Sequence, residues 1–219
     1  VSGELMDLSD IKLGRFRLRE GGEVGALYAD RRVEKNDEGY IPYNPGQTIA
    51  TENTTPFKIG TVNPKWNLGW RHGFNYKGIN ASVMFTARIG GNVISKTQAT
   101  LDRFGVSKAS ADAREAGYVM LGNIKMEPQD YYGTIYDLDS YYVYSATNIR
   151  LQEASIGYTL PNKWFGNVVK NVNVSVYGTN LWMIYNKAPY DPELTASTGT
   201  FGQGYDYFML PSSRTYGFS

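Results

Sequence analysis

The stretch Asn67–Ile89, NLGWRHGFNYKGINASVMFTARI, constrains the fold more than any other. In steps of two, Leu68, Trp70, His72, Phe74 and Tyr76 fall on one face, with Asn67, Gly69, Arg71, Gly73 and Asn75 on the other. Ile79, Ala81, Val83, Phe85, Ala87 and Ile89 then alternate against Asn80, Ser82, Met84, Thr86 and Arg88. Strand side chains alternate with period two, so each half predicts a strand with one apolar face. Lys77-Gly78 between the halves fits a hairpin turn, where glycine accepts a positive φ. Pairing Tyr76 with Ile79 sets Phe74 opposite Ala81, His72 opposite Val83, Trp70 opposite Phe85 and Leu68 opposite Ala87. A slip of one residue would set every apolar group against a polar one, so pattern and turn specify one register.

A chain of 219 residues is long enough for one large or two small domains. Its net charge of +1 carries no basic excess that would call for nucleic acid. The absence of Cys excludes a disulfide scaffold, a thiolate metal site and a Cys nucleophile. No charged-then-apolar leader is visible, and no apolar run approaches the length of a membrane helix. Membrane strands are short and half polar, so a transmembrane barrel remains compatible with this composition.

A weakly alternating strand is expected at Arg15–Glu20 and a strand ending in charge at Val24–Lys35. Asn36–Lys65, with Pro42, Pro45, Pro56 and Pro64, reads as a long loop. Asn92–Ser145 reads as an excursion from the sheet, with one short helix over Lys108–Ala116 capped by Ser107. Strand pattern resumes over Ala146–Leu160, where a change of phase near Gln152-Glu153 predicts a β-bulge. Val172–Ile184 follows as a strand, Tyr185–Ser212 as a long loop, and Arg214–Ser219 as a last strand. Connection lengths alternate, which in an up-and-down sheet puts all the long loops on one edge. Outer-membrane barrels have this asymmetry, with short periplasmic turns and long extracellular loops. Trp66, Tyr76, Trp182 and Tyr185 near strand ends suit the interfacial aromatic girdles. A soluble secreted β-barrel or β-sandwich that binds carbohydrate would show the same periodicity with its apolar face turned inward.

The stretches NPKWNLGW, FNYKGINASVMFTARIGG, YSATNIRLQEASIGYTLP, NVSVYGTNLW, APYDPE and GQGYDYFMLPSSRTYGFS occur in that order. The ordered set resembles the C-terminal part of the barrel in SusC/RagA-like TonB-dependent outer-membrane transporters of Bacteroidetes. The resemblance covers the chain from about Asn63 onward and implies an all-β, antiparallel up-and-down transmembrane β-barrel. This chain would supply about seven strands, the closing portion of a barrel of about 22 with a plugged lumen. The N-terminal plug and the remaining barrel strands are expected to be absent from residues 1–219. Family members import glycans or peptides with a SusD-like surface lipoprotein, and draw energy from TonB through an N-terminal region. The expected partners are therefore that lipoprotein, the remainder of the barrel and its plug, TonB and outer-membrane lipid. Such barrels usually end on an aromatic residue, and Ser219 departs from that pattern.

Chemistry-bearing residues are few. His72, the single histidine, lies on the apolar face between Trp70 and Phe74, so no catalytic, metal or cofactor site is expected. Asp137/Asp139 and Asp191/Glu193 read as solvated loop charge, with a loop-shaping role for Asp191-Pro192-Glu193. Tyr131, Tyr132, Tyr136, Tyr141, Tyr142 and Tyr144 are candidates for packing among the loops or for ligand or partner contact. Arg71, Arg88 and Arg150 fall on polar faces, which in a barrel line the lumen. GTFGQG does not follow a strand and open a helix, so it is not a phosphate loop. Glycosylation-like triplets at Asn53, Asn80 and Asn173 carry little weight.

Overall fold

The computed structural model describes residues 10–13, 16–19, 22–122, 124–165, 172–194 and 203–219. Arg15 and Glu20 lie outside them, as do residues 199–202 of the GTFGQG run. In chain order the first strands are β1 (Asp10–Leu13), β2 (Phe16–Arg19), β3 (Ala26–Val33) and β4 (Thr51–Thr61). The hairpin β5 (Trp66–Tyr76) and β6 (Ile79–Ile89) follows, then β7 (Asn92–Ser95). Next come α1 (Lys96–Arg103), α2 (Lys108–Ala116), β8 (Val119–Leu121), β9 (Ile124–Met126) and α3 (Pro128–Ile135). The remaining strands are β10 (Val143–Ser145), β11 (Asn148–Thr159), β12 (Asn173–Asn186), β13 (Tyr205–Asp206) and β14 (Thr215–Phe218). The described residues divide into two compact units, one of those within 10–63, 92–144 and 203–209, the other of those within 64–91, 145–194 and 210–219.

The second unit is a five-stranded antiparallel sheet in the order β14-β12-β11-β6-β5. Its hairpin has the register read from the sequence, from Tyr76↔Ile79 through Trp70↔Phe85 to Leu68↔Ala87. Lys77 and Gly78 have φ of +48° and +88°, the left-handed pair that matches the twist of the flanking strands. The bulge also falls where the phase changed: β11 shifts register between Leu151 and Glu153 against both neighbours. That extra residue returns Ala154, Ile156 and Tyr158 to the face of Leu151. Lys77-Gly78 and the β11–β12 connection lie at one end of the sheet; the chain leaves and re-enters at the other, near Trp66, Ile89, Asn148 and Asn186. Among these strands, the alternation of short and long connections holds.

The first unit departs from expectation. Asn36–Lys65 is not loop throughout, because Thr51–Thr61 is a strand paired with β3 from Ala26↔Thr61 to Val33↔Thr51. Its sequence, TENTTPFKIGT, hides it, since Pro56 cannot donate to a ladder and the residues do not alternate. The proline falls where the ladder is already broken, between Ala29↔Phe57 and Arg31↔Asn53. A short connection therefore follows β4, and the alternation of loop lengths does not extend upstream of β5. The order β1-β2-β3-β4 makes this a separate four-stranded sheet, so the first two of the seven expected strands are not in the five-stranded one.

Among the described residues, the excursion holds three α-helices and a 3-10 helix at Asp139–Tyr142 where one helix was expected. That one has the predicted bounds: the Ser107 hydroxyl accepts from the Ser110 N–H, and Gly117, at φ +77°, ends the helix. Ser95 caps α1 in the same way through Gln98, and Pro128 opens α3 at a position that needs no N–H donor. Ala99, Ala113, Tyr132, Ile135 and Tyr142 form one buried cluster; Val33, Ile49, Leu121, Met126 and Leu138 form a second. Burial of such side chains, at about 25 cal/mol per Å² of apolar surface, is what orders a segment this poor in strand pairing. Asp130 and Thr134 of α3 hold the β3–β4 loop: Asp130 Oδ2 accepts from Tyr43 Oη (2.9 Å) and the Gly46 N–H (2.8 Å), and Thr134 Oγ1 accepts from the Ile49 N–H.

Candidate functional site

The five-stranded sheet has two chemically opposite faces. On one lie Trp70 (58% exposed), Phe74 (53%), Ile156 (61%) and Val176 (56%), with Leu68, Phe85, Trp182, Tyr216 and Phe218 brought to the same side by the register. His72 belongs to this face and stacks on Trp70 at 5.8 Å between ring centroids. Aromatic rings mark both ends, Trp66 and Tyr185 at one and Tyr76 and Tyr158 at the other. Both β5 and β6 have 11 residues, and a tilted strand needs ~9–11 to cross a bilayer.

On the opposite face lie all three arginines singled out in the sequence. Arg71, opposite Met84, reaches over β6 to Glu153 at 2.6 Å. Its side chain is 58% exposed, so this pair contributes little to stability. Arg88 is opposite Asn67 on one side and Asn148 on the other. Arg150 is different. It is 4% exposed, its Nε donates to Asn148 Oδ1, and its guanidinium engages the Asp191 carboxylate at 2.8 and 3.3 Å.

Asp191 is therefore not solvated loop charge. Its side chain is 8% exposed and also accepts from the Ser212 hydroxyl and the Glu193 N–H. Burial pushes the carboxyl up; hydrogen bonds from Arg150, Ser212 and Glu193 outweigh it and hold Asp191 below the usual aspartate range. Glu193 stays nearer solvent, 3.5 Å from Arg150. Asn180, at φ +54°, donates from its amide to Ser212 and to the Ser213 carbonyl. These contacts tie residues 188–194 and 212–213 to β11 and β12, which gives Asp191-Pro192-Glu193 its loop-shaping role.

The tyrosine cluster belongs to the first unit. Tyr132 and Tyr142 are buried, Tyr131 and Tyr136 half-buried, and Tyr141 is exposed at 42%. Tyr131 and Tyr132 meet edge to face at 5.1 Å, while Lys96 and Arg103 both lie over the Tyr136 ring. Burial pushes the Tyr132 hydroxyl up to about 12 and that of Tyr142 further still. Asp137 lies 3.8 Å from Lys96. No group of carboxylates and histidines that could hold a metal ion occurs among the described residues, and no described helix is long and apolar enough to cross a membrane.

A meander whose four long strands reach bilayer length, with one exposed apolar face and one polar face, is the pattern of a transmembrane β-barrel wall. The chain is 26% identical over 222 residues to TonB-dependent receptor P3 of Formosa agariphila, an alignment covering 91% of this chain and 22% of that protein. It also shares its fold with two RagAB structures. One, the peptide importer in the open-open state, matches 97% of this chain and 24% of its own with a TM-score of 0.63 at 17% identity. The other, the RagAB peptide transporter, matches 87% and 22% with a TM-score of 0.58 at 20% identity. No protein-family model matches. The chain therefore resembles TonB-dependent receptors of the SusC/RagA kind, and it spans under a quarter of the length of these relatives.

Proposed function

We propose that the chain is a C-terminal part of the wall and outer loops of a TonB-dependent outer-membrane transporter of about 22 strands. It would import a bulky nutrient, glycan or peptide, together with a SusD-like surface lipoprotein. The observation that carries this reading is the exposed apolar face of the five-stranded sheet, backed by a polar one. In a bilayer the first is lipid-facing wall, and Arg71, Arg88 and Arg150 line the lumen. A soluble β-barrel or β-sandwich would cover Trp70 and Phe74, whose exposure of 58% and 53% runs against that alternative.

In this arrangement β5 descends toward the periplasm, Lys77-Gly78 turns there, and β6 climbs outward. Energy relayed by TonB acts on a plug upstream of these residues, while this portion supplies a rigid wall and the surface that receives cargo. Asn92–Ser145, with its three helices and packed tyrosines, is the segment assigned to the lid lipoprotein. Tyr141, the most exposed of the six candidate tyrosines, is the one assigned to partner contact.

Spin labels placed singly along β11 and β12 of the intact transporter in outer-membrane vesicles test the reading. Labels at Ile156 and Val176 should be relaxed by dissolved oxygen, and labels at Ser155 and Ser175 by a water-soluble nickel chelate. Equal aqueous access on both faces would sink it.

A further inference from the structure

The excursion contains a cleft that wall and lid contact leave unused. Its volume is about 610 Å³, within the ~300–1,000 Å³ typical of small-molecule sites. Every residue that lines it comes from α1, α2, α3 or the residues flanking them. Asp102 (6% exposed), Ser110 (1%) and Tyr132 (8%) are its deep members, while Phe104, 74% exposed, stands at the rim.

The polar groups are held in place. Gln98 Nε2 donates to Asp102 Oδ1 at 2.7 Å, fixing the carboxylate. Arg103 lies over the Tyr136 ring, its guanidinium carbon 4.3 Å from the centroid, a contact that restrains the side chain beside the cleft. Arg114 donates to the Gly105 carbonyl. Gly105 has φ +72°, a conformation that favours glycine, and a Cβ there would require the Arg114 guanidinium to shift.

These groups describe a ligand. The carboxylates of Asp102 and Glu127 balance the guanidinium groups of Arg103 and Arg114, so the lining as a whole favours a neutral occupant over an ion. Forked donors beside forked acceptors match neighbouring hydroxyls, each of which both gives and accepts a hydrogen bond. An exposed ring at the rim offers an apolar surface to the C–H face of a sugar. A peptide bound through its main chain would use a strand edge, and helices wall this cleft. A second cleft of about 650 Å³, reaching Gln47, Thr48 and Asp130, shares Arg103 and Gln129 with the first. Two spaces that meet at one pair of side chains suit a chain of rings.

We propose that the cleft between α1, α2 and α3 is a binding subsite for a neutral oligosaccharide, with Asp102, Arg103, Arg114, Glu127 and Gln129 addressing its hydroxyls and Phe104 stacking on a ring. The subsite deepens the transport reading, on which it rests for the source of the sugar, and selects glycan over peptide as cargo.

The test is calorimetric titration of the intact, detergent-purified transporter with short neutral gluco-, galacto- and manno-oligosaccharides, and with short peptides of mixed sequence. At least one sugar series should bind, and Phe104→Ala and Arg103→Ala should each weaken it about tenfold, the equivalent of one good contact. Both variants should keep the oxygen and nickel accessibilities of labels on β11 and β12. No sugar binding, sugar binding that neither variant alters, or peptides bound in the sugars' place would each overturn the subsite. Loss of the lipid-facing pattern would overturn the transport reading and leave the titration interpretable.

Discussion

Arg150 and Asp191 meet across 41 residues of sequence in a two-pronged ion pair, Nη2 to Oδ1 at 2.8 Å and Nη1 to Oδ2 at 3.3 Å. Both side chains are nearly out of solvent, at 5% and 8% exposure, so removing either partner strands a buried charge. Arg150→Met should destabilise the anchored segments by about 3–5 kcal/mol. Limited proteolysis of the intact transporter reads this as faster cleavage within residues 187–214, with β5 and β6 unaffected. Unchanged cleavage would mean that the loop is held by other contacts.

The same carboxylate gives the anchor a pH limit. Asp191 is held below its ordinary value, so its contribution is complete above the unfolded aspartate value of about 3.9 and fades as pH falls through the depressed folded value. Residues 188–194 should keep their hydrogen-exchange protection at pH 5 and lose it only in acid below the ordinary aspartate range. Asp191→Asn should abolish that acid step.

The apolar face should tolerate charge far less than the polar one. Ile156→Arg, toward the turn end of β11 and level with Ser175, should cost about 1–2 kcal/mol if its side chain meets lipid. Ser175→Arg, on β12 and on the other face, should cost much less. The folded fraction in outer-membrane preparations, read from the heat-dependent gel shift, compares them. Equal losses would contradict the assignment of faces.

The turn at Lys77-Gly78 should carry a backbone penalty. Gly78 has φ +88°, and a Cβ there would lie 3.0 Å from the Thr159 carbonyl oxygen and from the Tyr158 ring. Gly78→Ala should therefore destabilise the hairpin by about 1–2 kcal/mol. Lys77→Asn, at φ +48°, should be neutral or stabilising because Asn enters that region readily. Urea unfolding of the transporter in detergent distinguishes the two.

If the proposed SusD-like partner docks on Asn92–Ser145, deleting the helical part of that segment should weaken its co-purification while the proposed barrel still inserts. Retained co-purification would place the lid contact elsewhere. Ser107→Ala is the milder companion. Loss of its cap should cost about 1 kcal/mol and raise hydrogen exchange over α2 alone.

Local pattern carried a definite part of this fold. Alternation on both sides of Lys77-Gly78 set the hairpin register, because one slip reverses every side chain. The phase change at Gln152-Glu153 located a bulge that two neighbouring strands then accommodate. Ser107 and Gly117 bounded a helix, since each satisfies backbone groups within a few residues of itself. In each case the decisive interaction is short in sequence or repeats with a fixed period.

The tertiary structure decided what has neither property. Thr51–Thr61 is a strand because β3 pairs with it, against a proline and without alternation. The parallel pair Asp206↔Ser95 and the bond from Ser95 Oγ to the Asp206 carboxylate join residues 111 apart, beyond any local signal. The same holds for Asp191, whose partner Arg150 turns an apparent loop charge into a buried anchor, and for Asp102, Arg103 and Arg114, which only helix packing gathers around one cleft. Period and turn chemistry wrote the five-stranded sheet into the sequence; burial and long-range pairing, with no sequence spacing to announce them, decided the helical unit and the anchored loop.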